Sequence, residues 1–383
     1  VVRQRNPENA AAVSSFGKSL EAWVRKLRPH LRPSYRNAYA ALLARKLGER
    51  KPGEPIVCCD FADGAIDAVG GRYYFSLVLD LIDAGYFPVF TARRLTVSTF
   101  GTSRVKSLLL DKRLGMVRSA DDLSEPFLLI TDTDATPPEA TKIVRVAYGH
   151  RLPVRPGEIP FPVFVHPRIA IGGNLPFSYD LVAKRPVRLF FGGNTEEGKY
   201  DKNVIGEVYR MLTRREMIAA VVDQAGENRI HRPVAADRWL TSDEPADFVL
   251  CETQKCKIPG ERWLDAMAKA DFFLACPGVG MPLCHNLIES LAAGAVPVLQ
   301  YSAYLTPELE DGVNCLAFHD EASLRKVVDR VLSMDEQEIL SLRRGAKTYY
   351  DTYLAPGRFA DRLLNDPHSD TTLLMNSYRV PRG

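Results

Sequence analysis

Two glycine-bearing loops and a few carboxylates are the residues of this 383-residue chain best suited to chemistry. Pro277–Pro282 is a tight loop with Gly278 and Gly280, followed by Met281 and by Pro282, which suits a first helical turn. A helix over Leu283–Ala293 then carries His285 and Asn286 at its start and Glu289 two turns in, and Gly294 stops it. A glycine loop at a helix N-terminus presents backbone N–H groups and the positive end of the helix dipole, which together can hold a phosphate. Glu289 then lies within reach of a ribose whose phosphates rest on the loop. The second loop, Gly192–Lys202, offers Gly192, Gly193 and Asn194 for close backbone approach and Lys199 and Lys202 as cations. Proton acceptors occur earlier, at Asp60, Asp63 and Asp67, at Asp132 and Asp134, and at His150 and His166. The plainer alternatives are packed glycine turns, solvated lysines and aspartates that cap helices or turns.

The elements that must position these residues follow from apolar patterning. Residues 8–28 and 34–48 each show one apolar helical face, and KPGEP at 51–55 marks a turn. Pro55–Asp60 reads as a buried parallel strand, Phe61–Gly71 as a loop, Arg72–Ala84 as a helix and Phe87–Thr91 as the next strand. Leu129–Thr133, Val144–Tyr148 and a short Val163–Val165 are further strands. A proline-rich tract at 151–162 and a Gly/Pro-rich tract at 171–187 bracket an interdomain boundary. The second half opens with the strand Val187–Phe191, a polar loop to about residue 202 and a helix to about 215. Ile218–Val222, Phe248–Cys251, Phe272–Cys276 and Ala295–Leu299 read as strands, and 261–270, 322–333 and 335–352 as helices. Open parallel sheets place ligands at the carboxyl ends of their strands.

Composition narrows the classes. Hydrophobic residues make up 46% and charged residues 25%, as in soluble globular chains. No apolar run is long enough to span a membrane, and no signal-peptide pattern opens the chain. The odd number of cysteines, seven, and the lack of N-x-S/T sequons point to a reducing, cytoplasmic setting. Cys251 and Cys256 lack a neighbouring histidine cluster, so no metal site is expected there. The net charge is +3, yet residues 1–51 hold 8 Arg and 4 Lys against 3 Glu. This basic arm is either a solvated helical pair or a surface for peripheral contact with an anionic membrane or glycan. Nucleic acid is not expected, because basic and aromatic residues do not interleave.

CPGVGMPLCHNLIESLAAGAVPVL, followed by a proline and GVNCLAF, resembles the donor half of GT-B glycosyltransferases. It is especially similar to the exostosin-like branch, although the arginine usual in the helix turn before the acid is here His285-Asn286. The resemblance covers about fifty residues. It implies an α/β fold of two Rossmann-like domains facing across a cleft, with an N-terminal helical extension. The implied divisions are a basic extension at 1–54, an acceptor domain at 55–170, a donor domain at 187–335, and a C-terminal helix and tail at 336–383 that pack back toward the acceptor domain. It further implies a nucleotide-sugar donor, ribose contact through Glu289, base contact along Cys251–Lys257, and transfer to a glycan or lipid-linked glycan. Such transfer expels a diphosphate, which helix N-termini and cations can stabilise without a metal. An inverting reaction needs a general base, for which Asp63 is favoured over Asp60 and Asp67. No cofactor beyond the nucleotide sugar is expected, and its base is left open. Asp132-Thr133-Asp134 has the D-x-D form of a metal site but falls in the acceptor half. The alternatives are a sugar-nucleotide epimerase or a phosphorylase on the same fold, and a non-catalytic glycan-binding or scaffold subunit. A dehydrogenase is disfavoured because no GxGxxG follows a strand.

Overall fold

The computed structural model describes residues 50–93, 98–101, 103–149, 152–172, 175–196, 198 and 204–375, with isolated positions at 33, 37, 40 and 41. The helix expected over 8–28 lies outside the described residues, and of the one expected over 34–48 only positions 37, 40 and 41 are described, each helical. The chain is α/β, with parallel pairing throughout its named strands. It divides into two compact units. The first takes in the residues up to Phe75 and Phe87–Thr141; the second takes in Ser76–Tyr86 and the residues from Lys142 onward.

In the first unit, β1 (Ile56–Asp60) pairs with β2 (Phe87–Thr91) and β4 (Phe127–Thr131), and β3 (Gly115–Val117) flanks β2. β1 and β2 are buried at every residue, as strands covered on both faces must be, which explains their unbroken apolar runs. β4 sits two residues earlier than expected, because Asp132 turns away to accept N–H groups of the loop after β1 and Thr133 to donate to Asp60 at the end of β1. Tyr74, Phe90 and Phe100 pack with ring centroids 5.5–5.7 Å apart. Helix α1 (Ala68–Asp83) is regular only from Arg72, since Val69, Gly70 and Gly71 all have positive φ.

In the second unit, β5 (Ala140–Tyr148), β6 (Glu158–Pro160) and the late strand β13 (Thr371–Met375) run in the order β5-β13-β6. The tail beyond 336 thus contributes a strand as well as helices. No strand forms at Val163–Val165, because Val163 and Phe164 have φ of 66° and 57°. The six-stranded sheet has the order β12-β11-β10-β7-β9-β8. Its strands are β7 (Val187–Gly193), β8 (Ile230–His231), β9 (Ala246–Glu252), β10 (Ala270–Leu274), β11 (Val296–Leu299) and β12 (Leu316–Ala317). Ile218–Val222, expected as a strand, lies inside helix α3 (Arg214–Ala225). Thr213 and Glu216 form a reciprocal capping box that starts this helix, and Met217, Ala220 and Val221 face the core. The helix expected to end near 215 is replaced by a single wide turn at Val204–Val208. Helices α2 (Pro167–Ile171), α4 (Ala236–Thr241), α5 (Trp263–Ala268), α6 (His285–Ala292), α7 (Glu321–Ser333), α8 (Glu336–Tyr353) and α9 (Arg358–Leu364) complete the unit.

Candidate functional site

Strands β10, β7 and β9 are neighbours, and the loops leaving their carboxyl ends belong to one edge of the sheet. These are the loops singled out by sequence. In the first, the Gly278 N–H donates to the Pro282 carbonyl (3.2 Å) and closes the turn. A side chain at 278 would put its Cβ 2.7 Å from the Met281 carbonyl oxygen, so glycine is required there. Met281, Pro282 and Leu283 are buried, while Gly278, Gly280, His285 and Asn286 are half-buried. Helix α6 begins at His285, two residues later than expected, because Cys284 is extended (φ −142°) and serves as the N-cap without a side-chain bond. Pro282 therefore precedes the helix and lies outside its first turn. The first-turn N–H groups of α6 still point along the dipole toward the loop.

The loop after β7 meets this one. Asn286 Nδ2 donates to the Gly192 carbonyl (3.3 Å). Arg214, the first residue of α3 and buried, donates through Nη1 to the Asn194 carbonyl (2.8 Å) and through Nη2 to the Pro277 carbonyl (3.2 Å). One guanidinium thus fastens both loops. A Cβ at Gly192 would fall 2.6 Å from the Trp263 ring, which explains the glycine by packing. Gly193 lies against the Phe191 ring, and the Asn194 side chain accepts the Glu196 N–H (2.7 Å). The loop after β9 joins through Glu252, which accepts from Thr195 Oγ1 (2.8 Å) and Lys255 Nζ (2.6 Å). Burial works to raise the Glu252 carboxyl, but Lys255 and Thr195 outweigh it and hold the group below its usual range. Lys199 and Lys202 lie outside the described residues, as does His150.

Glu289 is 2% exposed. Its Oε1 accepts the backbone N–H of His166 (2.8 Å) and its Oε2 accepts the Trp263 indole N–H (2.6 Å). The His285 Nδ1 is 2.8 Å from the Phe164 carbonyl. A carbonyl only accepts, so this nitrogen carries the proton. The His166 Nδ1 accepts the Arg168 N–H at the cap of α2, so its proton is on Nε2. The two imidazole centroids are 5.3 Å apart.

The carboxylates expected to act as bases gather in the first unit. Asp60 is buried and receives Arg93 Nε (2.5 Å) and Nη2 (2.9 Å) and the hydroxyls of Thr91 and Thr133. Burial works to raise its pKa, yet these donors hold it below the usual range. Asp67 accepts from Lys106 Nζ and Thr99 Oγ1, both at 2.8 Å. Asp63 accepts the Ala65 N–H, and its own N–H donates to Asp132 (2.9 Å). Asp132 also takes the Ala62 N–H (2.6 Å), so it buttresses the loop after β1. Among the described residues, no group of three or more His, Cys, Asp or Glu could hold a metal ion. No described helix is long and apolar enough to cross a membrane.

Sequence reasoning missed Arg214 and Trp263. Arg214 fell at the end of a helix expected to run to about 215, and Trp263 was one apolar residue of a helix. The Thr213-x-x-Glu216 capping signature was the signal available for the former.

Several solved structures, glycosyltransferases among them, are similar to this α/β chain at low identity. One from Rickettsia africae gives a TM-score of 0.42 at 9% identity, covering 81% of this chain and 97% of its own. Anabaena Alr3699/HepE, solved in complex with UDP, gives 0.39 at 12% identity over 77% and 94%. WaaG, a glycosyltransferase involved in lipopolysaccharide biosynthesis, gives 0.34 at 12% identity over 81% and 100%. No protein-family model matches the chain, and no curated protein does.

Proposed function

We propose that this chain is a glycosyltransferase that draws on a nucleotide sugar, with the donor held by the second unit. The observation that carries this reading is the meeting of the loops after β7 and β10 around the Arg214 guanidinium, at the N-terminus of α6. Such a place suits a diphosphate: glycine loops for close approach, a helix dipole, and a fixed cation that can stabilise negative charge as the leaving group departs. Gly278, Gly280 and Met281 line the diphosphate position, with Lys199 and Lys202 supplying further charge. His285 and Asn286 meet sugar hydroxyls, and Cys251–Lys257 borders the base. Ribose contact is assigned to the Glu289 carboxylate, which α6 carries behind the loop after β10. The acceptor is a glycan or lipid-linked glycan. The general base is assigned to Asp63, which lies beside Gly64 in the loop at the carboxyl end of β1.

Calorimetry with UDP, GDP, ADP, dTDP and CMP tests the donor site. One of them binds, and Arg214→Gln weakens it by about tenfold or more, the scale of a lost charge-assisted hydrogen bond. Slow hydrolysis of the matching nucleotide sugar proceeds in EDTA, since no step uses a divalent ion. Absence of binding by all five would sink the donor assignment. Hydrolysis that stops in EDTA and returns with Mn²⁺ would move attention to Asp132 and Asp134, and nucleotide binding without any turnover would favour a non-catalytic subunit.

The basic arm at 1–51 is proposed to hold the chain against anionic lipid, at ~1 kcal/mol per basic residue near the surface. Flotation with anionic but not neutral liposomes, weakened by salt, is the expected result. Equal flotation with both, or with neither, removes the membrane from the proposal.

A further inference from the structure

A cleft of about 940 Å³ opens at the other end of the six-stranded sheet, where β7, β9 and β10 begin. Nothing in the proposed transfer uses it. Its walls carry seven cations, from Lys184 to Arg343, against four carboxylates, Glu244, Asp247, Asp271 and Glu336. Two of the arginines are buried: Arg185 is 8% exposed and Arg343 is 3% exposed.

The partners of these arginines do not balance their charge. Arg185 donates to the carbonyls of Ala270 (2.6 Å) and Ala293 (3.1 Å). Arg343 donates to the carbonyls of Ala183 (2.9 Å) and Asp180 (3.4 Å). The nearest carboxylate, Asp271, is shared: Arg188 and Arg343 each approach it only to 3.5 Å. Among the described residues, the Arg343 Nε is buried without a hydrogen-bond partner. Burying a guanidinium is costly unless a counter-charge compensates, and three guanidiniums here share one carboxylate. Burial, with Arg343 as a like-charged neighbour, pushes Arg185 down to about 9. Arg238, on α4, adds an exposed cation at the rim.

We propose that this cleft binds a small anionic molecule carrying at least two oxyanion groups. Oxyanions match guanidinium geometry with paired hydrogen bonds, and a volume near 940 Å³ is that of a metabolite-sized site. Phosphate esters and uronate glycans present the same chemistry to these arginines.

Calorimetric titration of the full chain separates the sources, with inorganic tripolyphosphate and trigalacturonate as probes and maltotriose as the neutral control. At least one charged probe binds and maltotriose does not. Arg188→Gln combined with Arg238→Gln weakens that binding at least tenfold, whereas Arg325→Gln, a surface control, leaves it unchanged. Where circular dichroism shows the first pair to be misfolded, Arg229→Gln with Arg238→Gln, both exposed, takes its place. Binding of tripolyphosphate alone identifies a phosphate ester, and binding of trigalacturonate alone identifies an acidic glycan. Failure of both probes, or an equal loss in Arg325→Gln, overturns the proposal.

Discussion

Glu289 shows how one residue can be legible by type and still be misjudged in its surroundings. Its place in the Gly-loop helix was plain from spacing alone. Its partners were not, because His166 and Trp263 lie 123 and 26 residues away in sequence. The carboxylate satisfies a backbone N–H and an indole N–H in a part-buried setting, so Glu289→Ala leaves two donors without their acceptor, at ~1–3 kcal/mol each. Chemical denaturation should show a loss of that order, and Glu289→Gln, which keeps one acceptor oxygen, a smaller one. Identical stability of all three proteins would mean that the Trp263 bond contributes nothing. Gly192→Ala probes the same packing from the other side. Its Cβ would overlap Trp263 and Phe190, at 2.6 and 2.7 Å, and a cost of ~1–3 kcal/mol is expected. Arg214 was illegible for a different reason: the run beyond it, Met217–Val222, is apolar enough to pass for a buried strand, which hid the start of α3.

Among the elements, the buried parallel strands were the most readable. β2 falls where expected, and β1 and β11 differ by one residue, because strands covered on both faces must be apolar throughout. Helix α9 was not anticipated. Its seven residues are too few for a periodic signal, and its start is fixed from far away by Asp80, whose carboxylate accepts the N–H groups of Gly357 and Ala360, both at 2.7 Å. Burial pushes the Asp80 carboxyl up to about 7 from an ordinary 3.8, against the pull of those two bonds. The unfolded chain therefore releases this proton first as pH rises. Through this group, stability falls between about pH 4 and pH 7 and is level above that. Melting curves across that range should show the decline in the native chain and a shallower one in Asp80→Asn. A slope that is unchanged in Asp80→Asn would assign the decline to other groups.

At the scale of the whole molecule, the sequence supported an α/β chain of two halves, but not the path the chain takes between them. Residues 76–86 belong to the second unit although they sit inside the first in sequence. Composition carries no mark of this, since the apolar face of α1 looks alike along its length. β13 was equally hidden in a tail read as helix and coil. It occupies the middle position between β5 and β6, and Leu373, Leu374 and Met375 are buried. Ending the chain at Asn365 should therefore expose two strand edges, lower the melting temperature and admit protease within 142–165. A truncated chain that melts like the intact one would show that the strand is dispensable.

The same insertion has a temporal meaning during synthesis. A ribosome delivers the six-stranded sheet, and with it the loops around Arg214, before it delivers β13. Until residues 371–375 emerge, β5 and β6 each present an unpaired edge that another nascent chain can zip onto. The long stretch of chain between β6 and β13 thus sets the interval in which this protein must be shielded from its own copies.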